Sequence, residues 1–127
     1  MYAILRAIQA STVTGATKDI LVLGMRGQRA EAAFLAWVFD ATNGVKAKLG
    51  GIDPTYEVAV GADISTVDFS KYKMIYIPSS TEEFFPNYYV SGGILCSALT
   101  QLAGRKADFA NYVNNLGGSI VSYTEAG

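Results

Sequence analysis

Apolar positions along this chain gather in four short runs, two of them continuous, separated by longer amphipathic stretches. The first, Asp19 to Met25 (DILVLGM), has no polar alternation, which predicts a strand covered on both faces of a parallel sheet. Arg29 to Thr42 follows with Phe34, Leu35, Val38 and Ala41 on one helical face, and Asn43-Gly44 supply residues that tolerate a left-handed cap. Tyr56 to Val60 (YEVAV) alternates weakly after the breakers Gly50, Gly51 and Pro54, so a second, shorter strand is expected there. The third is Lys73 to Ile77, which Pro78 ends by lacking an N–H. Leu95 to Asn115 carries helical spacing through Leu99, Leu102, Phe109 and Val113. Gly117-Gly118 stop that helix, and Ser119 to Tyr123 forms the fourth strand.

Strands separated by helices or long covered connections predict an α/β three-layer sandwich with a mostly parallel sheet. Right-handed crossovers give strand order 2-1-3-4, the flavodoxin-like arrangement, with its switch point between the first and third strands. In that order the helix at Arg29 to Thr42 stands alone on one face. The rest of that face needs a cover: the N-terminal stretch, whose Leu5 and Ile8 have helical spacing, a later helix, or another chain. The edge at Ser119 to Thr124 is likewise expected to be paired or covered by something beyond this chain.

At 127 residues there is room for one domain, residues 1–127, with residues 1–17 as an N-terminal extension and an aromatic loop at residues 79–93. Half of the residues are hydrophobic and the mean hydropathy is +0.23, which leaves apolar surface for a neighbour. Ten basic residues balance eleven acidic ones without a basic stripe, so nucleic acid is not an expected partner. The opening MYAILRAIQA is too short to span a bilayer. The chain has one cysteine, Cys96, and no histidine, which excludes an internal disulfide and a Cys-based zinc site and removes the commonest proton shuttle.

The order DILVLGM, helix, DFSKYKMIYIPSS and RKADFANYVNNLGGSIVSYTEAG resembles the first part of a class I glutamine amidotransferase-like domain, in the broad sense that includes non-catalytic members of large surface proteins. The resemblance covers about Lys18 to Gly127 and implies the flavodoxin-like architecture, an extracellular or cell-surface setting, and no cofactor. In the catalytic members the strand after the VNNLGG-type helix end runs into a Gly-x-Cys-x-Gly elbow that exposes the nucleophile. Here that stretch is Tyr123-Thr124-Glu125-Ala126-Gly127, with Glu125 at the nucleophile position. A carboxylate there forms no thioester, so the resemblance implies a member without glutamine hydrolysis.

Cys96 in GGILCSAL sits among aliphatic residues and reads as a small buried hydrophobe, although the start of a helix could lower a thiol's pKa. The turn Gly24 to Arg29 could hold an anion with Arg26, the Gly27 backbone and Arg29, but it has neither the dinucleotide nor the phosphate-loop glycine spacing. Ser79, Ser80 and Thr81, with Glu82, Glu83 and Glu125, follow strands at the same sheet edge; they could bind a sugar or a hard cation, or they could cap loops. Phe84, Phe85, Tyr88 and Tyr89 are dense enough to form an interface, stack on sugars, or close over the core.

Two functions follow as expectations. The first is a non-enzymatic structural or interaction module, joined to a protein partner or to its own copies, with those four aromatics at the contact. The alternative is a small-ligand or anion-binding domain or hydrolase that uses the crevice at the carboxyl ends of the strands, with Arg26, Gly27, Ser79, Ser80 and Glu125 as contacts. A flavin-carrying redox module is weaker, because the first loop lacks a Ser/Thr-rich phosphate cradle.

Overall fold

A computed structural model of the chain describes residues 2–26, 54–77, 93–94 and 101–122, together with Phe34, Ala36, Val38, Phe39 and Gly44. Its strands are β1 (Lys18–Leu23), β2 (Met25–Arg26), β3 (Tyr56–Ala59), β4 (Tyr72–Ile77), β5 (Gly93–Ile94) and β6 (Ser119–Ser122), and its helices are α1 (Tyr2–Ala10) and α2 (Lys106–Asn114). Four strands form one all-parallel sheet in the order β3-β1-β4-β6, which is the 2-1-3-4 flavodoxin-like order expected from the sequence. Register pins β1 between its neighbours: Val22 stands beside Val58 on one side and Tyr76 on the other.

The unbroken apolar run of β1 has its explanation in the layers around it. Ile20 and Val22 join Met74 and Tyr76 in one core, while Leu21 and Leu23 join Ile75 in a second core across the sheet. All four β1 residues are fully buried. A strand with water on one face would alternate; one with two cores has no position to give to a polar side chain.

The first core settles what covers the face occupied by the first crossover. Phe34 and Val38 lie there, with the Phe34 ring 5.7 Å from Tyr76 in a stacked arrangement and 5.4 Å from Tyr56 edge-on. Beside them α1 packs on β4 and β6 through Ile4, Leu5, Ala7 and Ile8, all buried. Of the three expected covers, the N-terminal stretch is the one found among the described residues, so residues 2–10 are part of the sandwich. A nine-residue helix is unstable alone in water. Burial of each of its Ile and Leu side chains, roughly 2 kcal/mol apiece, is what holds it.

The second core lies under α2 and the connection from β3 to β4, which forms two 3-10 turns, Gly61–Ser65 and Phe69–Lys71. Ile64, Phe69 and Tyr112 fill it, and Phe69 stacks on Phe109 at 4.9 Å. The helix expected from Leu95 to Asn115 is interrupted within its described part: residues 101–103 are helical, 104–105 form a turn, and α2 begins at Lys106. At this break, which contains Gly104, Arg105 N–H donates to Leu102 O at 3.0 Å, a tighter closure than an α-turn, while its side chain reaches away to the 61–71 connection. The first strand is also shorter than expected. It ends at Leu23, Gly24 turns with φ 80°, and Met25–Arg26 form a separate antiparallel ribbon with Gly93–Ile94. Arg26 and Gly93 therefore belong to a ribbon where a turn and a loop were expected.

The end of α2 is fixed by its two glycines, as the sequence suggests, but for two different reasons. Gly117 has φ +81°, the left-handed region, and its carbonyl accepts from Thr12 N–H at 3.0 Å. Gly118 donates its N–H to Tyr112 O at 3.0 Å, and a Cβ on it would lie 2.1 Å from the Tyr112 ring. That ring is fully buried and its hydroxyl donates to Tyr72 O at 2.6 Å, so it has no room to yield. Gly118→Ala is expected to cost about 3 kcal/mol or to prevent folding. Gly117→Ala, whose Cβ would press on the side chain of exposed Thr12 and lie 3.4 Å from its backbone carbon, should cost about 1–2 kcal/mol from the backbone conformation. Urea unfolding of the two variants checks the order, and equal costs would mean that the Tyr112 ring can move.

Candidate functional site

In a parallel sheet every strand presents its carboxyl end at one edge, here Leu23, Ala59, Ile77 and Ser122. β1 is followed by helical residues on the α1 side, whereas β4 is followed by residues 101–114 on the opposite side. Elements that follow two adjacent strands therefore lie on opposite faces, which makes β1 and β4 the topological switch point, the position at which α/β proteins commonly bind ligands. Gly24 N–H donates to Ala59 O at 2.7 Å and carries the chain over this edge into the β2–β5 ribbon, where the backbone of Arg26 faces that of Gly93.

The strand ends themselves contribute little chemistry. Leu23 and Ala59 are buried, Ile77 is half-buried, and the exposed Ser122 supplies a hydroxyl. Of the candidate ligand-binding residues, Arg26 is placed at this edge through its backbone. Gly27, Ser79, Ser80 and Glu125 lie outside the described residues, as do Thr81, Glu82, Glu83, Cys96 and the four aromatics Phe84, Phe85, Tyr88 and Tyr89. Among the described residues no group of three or more His, Cys, Asp or Glu could hold a metal ion, and no helix is long and apolar enough to cross a membrane. An open pocket of about 270 Å³ lies elsewhere, at β3 and the turn after it, lined by Glu57, Val58, Ala59, Asp63, Thr66 and Val67.

Four charged side chains, Lys18, Asp19, Glu57 and Lys73, meet at the opposite, amino edge of the sheet, which the sequence did not lead us to expect. Lys18 pairs with Glu57 at 3.6 Å, and the Tyr72 hydroxyl donates to the same carboxylate. Lys73 pairs with Asp19 at 3.2 Å. Asp19 and Thr55 bind each other reciprocally: Thr55 N–H donates to Asp19 Oδ2 and Asp19 N–H donates to Thr55 Oγ1, both at 2.9 Å. These groups tie the first residues of β3, β1 and β4 together, in keeping with a role in strand register. The available signal was the polar residues opening each run, Lys18-Asp19, Thr55 with Glu57, and Tyr72-Lys73.

A second polar lock centres on Arg105. Its guanidinium donates to Ile64 O at 3.1 Å, Val67 O at 2.5 Å and Asp108 Oδ2 at 2.8 Å, and lies 3.8 Å above the Phe69 ring. It satisfies two carbonyls of the β3–β4 connection and joins that connection to α2. The planar fork suits this task, which a lysine ammonium cannot span.

No protein-family model, no curated protein and no solved structure matches this chain. Its chemistry therefore rests on its own residues.

Stability should follow the amino-edge groups through pH. The Tyr72 hydroxyl, and then the Lys18 charge, hold the Glu57 carboxyl below its ordinary value of 4.5. Hydrogen bonds from Ser70 similarly hold Asp68 below 3.8. A depressed folded-state pKa contributes stability that is complete above the unfolded value and is lost as pH falls through the folded one. The urea midpoint should accordingly drop on acidification below about pH 4.5, with a shallower drop in Glu57→Gln. Burial raises the Tyr112 phenol above its ordinary 10.0, and burial followed by the Glu57 carboxylate raises that of Tyr72. Their stabilisation is complete below pH 10 and is lost as pH rises through the folded-state values, so the midpoint should fall again in alkali. A flat profile at both ends would contradict these contacts. Arg105→Ala should lose about 2–4 kcal/mol by stranding two carbonyls, and Arg105→Lys should recover only part of it, read by thermal or urea unfolding.

Proposed function

We propose that this chain is an interaction module with a flavodoxin-like fold, one that presents a rigid surface rather than transforming a substrate, and that it works within a larger surface or extracellular assembly. The outer edge of β6 carries the reading. β6 is Ser119-Ile120-Val121-Ser122, and among the described residues β4 is its one strand neighbour. α1 and α2 contact it, yet Ile120 and Val121 stay only half-buried. A strand edge without charge, proline or bulge is a template for pairing with another strand, and soluble proteins ordinarily guard such edges. Phe84, Phe85, Tyr88 and Tyr89 would enlarge the contact, since aromatic side chains are enriched at interfaces.

The chain's inventory supports the non-enzymatic half of the proposal. There is no histidine to act as base, and Glu125 stands where the resembling amidotransferases carry a cysteine nucleophile. Kinship with the non-catalytic members of that group is part of the same proposal.

A second reading is favoured by the topological switch point between β1 and β4, where α/β proteins commonly bind ligands. In this reading Arg26, Gly27, Ser79, Ser80 and Glu125 hold a small anionic ligand or act in hydrolysis.

Native mass spectrometry of the purified chain over a wide concentration range, beside Ser122→Lys, tests the first reading. Concentration-dependent assembly is expected, weakened about tenfold or more by a charge placed on the exposed end of β6, with little change in the thermal midpoint. Monomers throughout, identical in both proteins, would remove self-pairing as the function of this edge. Saturable release of ammonia from glutamine, abolished by Glu125→Gln, would overturn the whole proposal in favour of the second reading.

A further inference from the structure

We draw no further inference here: the strongest candidate, the open pocket of about 270 Å³ at β3, rests on the carboxylates of Glu57 and Asp63, of which Glu57 is already held by Lys18 and Tyr72, and nothing in the structure points to a ligand there.

Discussion

The burial of β1 from both sides is the constraint on which the rest of this protein depends. Ile20, Leu21, Val22 and Leu23 are fully buried, so water must be excluded above and below a strand that also has neighbours to left and right. Burying one such aliphatic side chain contributes roughly 2 kcal/mol, and the four together set the scale of what the surrounding elements secure. Each layer is a partial answer to that requirement. Phe34 and Val38 cover part of one face and α1 completes it, while the β3–β4 connection and α2 cover the other. None of these pieces has a comparable reason to order alone, and α1 least of all.

Covering two faces with short elements leaves backbone groups to satisfy, and the polar contacts are arranged accordingly. The connection from β3 to β4 is too irregular to pair its own carbonyls fully, and Arg105 takes up those of Ile64 and Val67. The same residue lies in the turn at 104–105, so the break in the helix and the closure of the second core meet at one position. Tyr112 does similar work at the other end of α2, where its ring fills the core, its hydroxyl meets Tyr72 O, and only a glycine at 118 can pass beside it.

These arrangements separate the two ends of the sheet. Ion pairs and the Asp19–Thr55 exchange bind the amino edge, while the strand ends at the carboxyl edge are largely aliphatic. A parallel sheet usually reserves its carboxyl edge for chemistry, because the loops that leave it converge there. Here the described part of that edge offers a scaffold, and the loops that follow it carry the candidate groups. The four residues of β6, by contrast, are all described and carry no charge, which is why an interaction role has the firmer physical footing of the two readings.

The fold was legible in the sequence because its signal is local. DILVLGM and MIYI state by continuous hydrophobicity that both faces are covered, and NNLGG states where a helix stops. Strand order was expected from the flavodoxin-like arrangement together with right-handed crossovers. The candidate site was much less legible: Ser79, Ser80 and Glu125 follow strands in sequence, but convergence is a property of loops in space, and those loops lie outside the described residues. What the sequence by itself determined is a parallel sheet with two cores, since apolar runs encode burial directly. Only the tertiary structure decided that α1 packs on the open face, that the last helix is interrupted at 104–105, and that Lys18, Asp19, Glu57, Tyr72 and Lys73 meet at one edge. Each of these depends on contacts between segments distant along the chain, and no local pattern of residues carries that distance.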